Sequence, residues 1–75
     1  MTSNNPFRPA VLIQFALQVR QMGENSWWVY RYEIGRNGKL SQKSRVVFFG
    51  SSRAEADQWI ERQKEEATIY MLSGN

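Results

Sequence analysis

From residue 11 onward, apolar and polar positions alternate with a period of two. Val11, Ile13, Phe15, Leu17 and Val19 stand on one side of the alternation, and Leu12, Gln14, Ala16, Gln18 and Arg20 on the other. That pattern predicts a strand with one apolar face, and Val, Ile and Phe favour strands. A helix would also gather Val11, Leu12, Phe15, Ala16 and Val19 on one stripe, so residues 10–22 read as strand first and helix second. The segment GENS, residues 23–26, reads as a turn. Residues 26–35 hold Trp27, Trp28, Val29, Tyr30, Tyr32 and Ile34, all strand formers, and predict a second strand. Asn37-Gly38 follows as a hairpin signal. A type I′ turn needs positive φ at both central residues, and Asn-Gly tolerates that best. Residues 40–49 then return as the partner strand.

The period changes after Gly50. Ser52 and Glu55 have the spacing of a capping box, in which the hydroxyl accepts the Glu55 N–H and the carboxylate reaches back. Ala56, Trp59, Ile60, Gln63 and Ala67 form a helical stripe, and Glu55 and Asp57 sit where the helix dipole favours acids. No breaker precedes Gly74, and Tyr70 and Met71 extend the stripe. Residues 67–72 are therefore expected to continue the helix, with a short terminal strand as the alternative. The expected fold is α+β: a three-stranded antiparallel sheet in the order β-β-β-α, with one C-terminal helix packed on one face. Residues 1–9, polar and holding Pro6 and Pro9, read as a flexible tail. Residues 10–75 read as a single small domain.

The hairpin predicts which residues share a face. With Asn37 and Gly38 as the two turn residues, Tyr32 opposes Lys43, Tyr30 opposes Arg45 and Trp28 opposes Val47. On the other face Trp27 meets Phe48, Val29 meets Val46 and Arg31 meets Ser44. The Trp27, Val29, Val46 and Phe48 face is the drier and suits the helix. The Trp28, Tyr30 and Tyr32 face, interleaved with Lys43 and Arg45, would then form a basic-aromatic platform for stacking and phosphate contact, ringed by Arg20, Arg36 and Lys39. The first turn decides whether that face stays open. A four-residue loop sets Val19 beside Tyr30 and makes the aromatic face the core. A three-residue loop, residues 23–25, sets Val19 beside Val29 and Gln18 beside Tyr30 and leaves the face free. The plainer reading, that the aromatics are simply the core, remains beside it.

Charge sharpens this picture. Residues 1–53 carry eight Lys and Arg against two Glu, and residues 54–75 carry two against five acids. The first part attracts a polyanion and the last repels one. The 75 residues contain no His and no Cys, which removes the usual general base, the thiol nucleophile and the favoured transition-metal ligands. Glu61, Glu65 and Glu66 read as a solvated helix face. No enzyme activity, metal site or cofactor is expected. The one early apolar run is too short to cross a bilayer and lacks a charged leader, so a cytoplasmic location without membrane contact is expected.

The stretch from Trp28 to Gln63 resembles the arm-type DNA-binding domains at the N-termini of phage and transposon integrases. The resemblance rests on WVYRYEIGRNGK and QKSRVVFFGSS, followed by Glu55-Ala56 and Trp59. It covers about half the chain, and the basic residues are fewer than such a domain usually shows. It implies a three-stranded sheet that enters a DNA groove while the helix braces it from behind. Two functions follow. The first is a small nucleic-acid-binding module, with DNA favoured over RNA and an accessory or regulatory role, using Arg20, Trp28, Tyr30, Tyr32, Arg36, Lys39, Lys43 and Arg45. The alternative is a protein-interaction module, an inhibitor or adaptor, that binds through its sheet or helix surface. Self-association would add to the stability of so small a domain, so a homodimer is a further expected partner.

Overall fold

The structure, a computed structural model, describes residues 13–73. The tail expected over residues 1–9, and Val11 and Leu12 of the first alternation, lie outside the described residues. Strands β1 (Gln14–Gly23), β2 (Ser26–Ile34) and β3 (Leu40–Gly50) form an antiparallel meander. Helix α1 (Arg53–Gln63) follows, and then strand β4 (Thr68–Met71). The sheet is therefore four-stranded and mixed, in the order β3-β2-β1-β4, with β4 parallel to β1. Among the described residues no helix is long and apolar enough to cross a membrane.

The fourth strand corrects the expectation that residues 67–72 prolong the helix. Helix α1 ends at Gln63, where Glu65 N–H and Glu66 N–H turn to the carbonyls of Arg62 and Gln63 in a tightened last turn. Thr68 and Ile69 are β-branched and suit an extended chain. The exposed edge of β1 accepts them: Thr68 N–H donates to Ile13 C=O, and Leu72 N–H to Leu17 C=O, both at 2.8 Å. A helical stripe cannot register this edge, because the edge exists only once β1 is placed. Strands β3 and β4 run parallel from opposite edges of the sheet, so the chain must cross the sheet between them. An 11-residue helix is about 16 Å long, close to the three strand spacings, about 14 Å, that it has to span.

The crossing places the core on one face only. Phe15, Leu17 and Val19 of β1 and Val29 of β2 meet Ala56 and Ile60 of α1. Trp27, Val47, Phe48, Trp59, Ala67 and Ile69 close around them. The helix stripe expected from the sequence docks as predicted at Ala56 and Ile60, both buried. Trp59 stays half-buried and stacks on Phe48, with ring centroids 5.2 Å apart and planes 19° apart. The cap also forms. Ser52 Oγ accepts Glu55 N–H at 3.1 Å, while the Glu55 carboxylate reaches one residue further than a capping box requires and accepts Ser51 N–H at 2.7 Å. Asp57 pairs with Arg53 at i,i+4.

The β2–β3 turn differs from the two-residue type. Gly38 N–H donates to Gly35 C=O, and Gly35 N–H donates to Lys39 C=O, both at 2.9 Å. Gly35 and Lys39 thus close a three-residue loop of Arg36, Asn37 and Gly38. Gly38 has positive φ, at 82°, as a turn ending in a left-handed residue requires. The Asn37 side chain accepts Lys39 N–H at 2.9 Å, which holds the turn in this form.

Two stability measurements check this account. Ile60→Ala should lower the unfolding free energy by about 2–5 kcal/mol, since it empties the centre of a thin core; a urea transition at the wild-type midpoint would show that α1 does not dock there. Gly38→Ala has room for its Cβ but must adopt positive φ. A drop of about 1 kcal/mol is expected in the same assay.

Candidate nucleic-acid interface

The β1–β2 connection reaches the pairing expected of a three-residue loop by another route: Gly23 pairs with Ser26 around a two-residue turn, Glu24-Asn25, and a bulge at Met22 shifts the register. Val19 pairs with Val29, Gln18 with Tyr30 and Arg20 with Trp28. Since side chains alternate along a strand, Trp28, Tyr30 and Tyr32 lie on the face turned away from the helix. The aromatics of β2 are therefore divided. Trp27 faces the core, and the other three form an open surface. On that surface Trp28 meets Phe49 edge-on at 5.1 Å and lies 6.3 Å from Tyr30. The Arg20 guanidinium sits 5.4 Å from the Tyr30 ring centroid. Tyr32 Oη donates to Gln18 Oε1 at 3.1 Å, and Tyr30 Oη to Met22 Sδ at 3.8 Å.

The partner strand overturns the expected register. Ile34 opposes Leu40, but Tyr32 opposes Ser44, Arg31 opposes Arg45 and Tyr30 opposes Val46. Strand β3 holds extra residues around Ser41–Lys43, where Ser41 Oγ accepts Lys43 N–H at 3.1 Å. A further bulge at Val47 returns Phe48 to the helix side, opposite Val29 and not the expected Trp27, and sets Phe49, not the expected Val47, opposite Trp28. From the Ile34–Leu40 pair to the Tyr32–Ser44 pair β3 advances four residues against two of β2, and an even excess leaves the faces unchanged. The faces are exchanged at the turn, where three loop residues in place of two move each following β3 side chain to the other face, as far as the bulge at Val47. Lys43 and Arg45, expected beside Tyr32 and Tyr30, instead join Arg31 on the helix side. Val46 and Ser44 take their places among the aromatics. The combined basic-aromatic platform does not form.

Two separate surfaces result. The open sheet face is aromatic and apolar, and its one charged side chain from the strands is Arg20. Phe49, which the local pattern does not single out, is its most exposed large hydrophobic side chain at 65%. The cations collect on the β2–β3 hairpin. Arg31, Lys43 and Arg45 line an open groove with Glu33, Ser41 and Ser44. Arg36 and Lys39 lie exposed at the turn. Residues 30–46 thus hold five cations against Glu33 alone, and no hydrophobic residue among them packs against the core.

Arg31, absent from the residues expected at the site, organises this groove. Its guanidinium lies 3.8 Å from the centroid of the Phe15 ring and pairs with Glu33 at 2.6 Å. Arg45, directly across from it, is in no ion pair among the described residues. Like charges directly opposed on a sheet are destabilising. Among the described residues no group of three or more His, Cys, Asp or Glu stands together to hold a metal ion.

The opposed arginines give a direct expectation. Arg45→Glu should stabilise the fold by about 0.2–1 kcal/mol, by turning a repulsive cross-strand pair into an attractive one. In a domain this small that is a rise of up to several degrees in Tm. A fall in Tm would show that Arg31 and Arg45 do not face each other. No family model matches the chain, and neither a curated protein nor a solved structure does.

Proposed function

We propose that the protein is a small nucleic-acid-binding module whose contact element is the β2–β3 hairpin. The observation that supports this reading is the concentration of Arg31, Arg36, Lys39, Lys43 and Arg45 on a ribbon that carries one acid. A two-stranded ribbon fits the major groove of B-form DNA, which is about 12 Å wide. Cations along it release the counterions condensed on the phosphates, and that release dominates affinity. The Ser41 hydroxyl of the groove adds a neutral phosphate donor. The major groove of A-form RNA is deep and narrow, so duplex DNA is the better target. The opposed Arg31 and Arg45 agree with this reading: a polyanion between them removes a repulsion that the free protein bears.

The resemblance to integrase arm-type domains also implies DNA as the target. It differs in detail, because there the sheet reads the groove with the face away from the helix, whereas here most of the cations lie on the helix side of the hairpin or at its tip. A second reading, a protein-interaction module, is favoured by the exposure of Phe49 and its neighbours on the open face.

Titration of fluorescent duplex DNA, single-stranded DNA and RNA at two salt concentrations tests the proposal. Duplex binding should weaken steeply with salt. Lys43→Ala and Arg45→Ala should each flatten the plot of log affinity against log salt, by about 0.9 for every phosphate left without its cation. Arg45→Glu should abolish binding while raising Tm. Absence of duplex affinity at low salt would refute the proposal.

A further inference from the structure

The open sheet face is broad and almost uncharged. From β1 it presents Gln14, Ala16, Gln18 and Arg20, and from β2 Trp28, Tyr30, Tyr32 and Ile34. Val46 and Phe49 of β3 and Tyr70 of β4 extend it. At one end Phe49 stands out beside Trp28. At the other end a shallow apolar depression is bounded by Gln14, Ile34, Leu40, Tyr70 and Leu72, with the buried Ala16 on its floor. Five or six residues separate the two along the strands, about 15–20 Å. The face therefore carries both a projecting ring and a hollow to receive one.

We propose that this face is the contact between two copies of the chain, with Phe49 of each seated in the depression of the other. A two-fold axis lying between the facing sheets, and bisecting the line from Phe49 to the depression, performs this exchange. An isologous contact needs that self-complementarity. The same operation leaves the two sets of strands roughly aligned, as in sheet sandwiches. It also carries the two Arg20 side chains to opposite ends of the contact, so two copies of net charge +3 meet through nearly neutral surfaces. The strands cover on the order of 500 Å² per copy in plan, from strand length and spacing. Side-chain relief increases the accessible area, which puts the dimer near the lower end of stable interfaces. The inference is independent of nucleic-acid binding, because the hairpin cations of the helix-side groove are not in the contact.

Sedimentation equilibrium on the intact protein, across a micromolar to submillimolar range, tests the proposal. The mass should rise from 8.8 kDa toward twice that value. Phe49→Glu and Leu40→Glu alter the projecting ring and the hollow, both at exposed positions. Each should weaken association at least about tenfold, with unchanged circular dichroism and unchanged melting at low concentration. Gln58→Glu adds the same charge on the exposed side of α1 and should dimerise as the wild type does. A wild-type protein that stays monomeric at the highest concentration would overturn the proposal. So would a Phe49→Glu protein that dimerises normally, or a Gln58→Glu protein that no longer dimerises.

Discussion

A sheet has two faces, and among the described residues this one has a single helix to cover them. Ala56 and Ile60 of α1, set against Leu17, Val19 and Val29, commit the helix to one side. Most of the remaining structure follows from that contact. It buries Phe15, Leu17 and Val19 of β1, leaves the even-numbered side chains to the opposite face, and carries the chain across to the edge where β4 can pair. Because the core is thin, the second face inherits aromatic rings that the helix cannot reach. Uncovered apolar area of this kind marks a contact surface more often than it marks idle exposure.

The second constraint is the pleat. Side chains change face at every residue, so the count of residues between two fixed points decides which groups become neighbours. β3 holds more residues than β2 over the paired stretch, and it absorbs the excess near Ser41–Lys43 and at Val47. The three-residue turn, one residue longer than the two-residue type, separates the charges from the aromatics. A two-residue turn would place Lys43 and Arg45 among the tyrosines and give one mixed surface. With the longer turn, the protein has an apolar sheet face on one side and a basic ribbon on the other. The two surfaces differ in chemistry and face opposite sides of the sheet.

The edges of the sheet are managed in keeping with this. β3 is a long edge strand, a form that invites pairing with other chains, and its Lys43 and Arg45 discourage that. β4, on the other edge, is only four residues long. Association through the edges is thus disfavoured.

Local signals in the chain were enough to define most elements and the faces near their strongest residues. Period-two alternation marked β1, β-branched and aromatic residues marked β2, and Ser52 with Glu55 marked the start of α1. These properties are set by neighbours a few residues apart. The same locality explains why Val29, Phe48 and Ile60 could be assigned to the core. Three features arise only when the chain is folded. β4 needed an edge of β1 that folding creates, and the helical stripe through Tyr70 and Met71 carried no trace of it. The register of β3 depended on the length of the turn and on two irregularities that no local pattern marks, and one extra turn residue was enough to move Lys43 and Arg45 away from the tyrosines. The pairing of Arg31 with Arg45, and the exposure of Phe49, followed from that register. Short-range chemistry chooses the conformation of a segment, whereas the identity of its neighbours across the sheet is a sum over every residue between them.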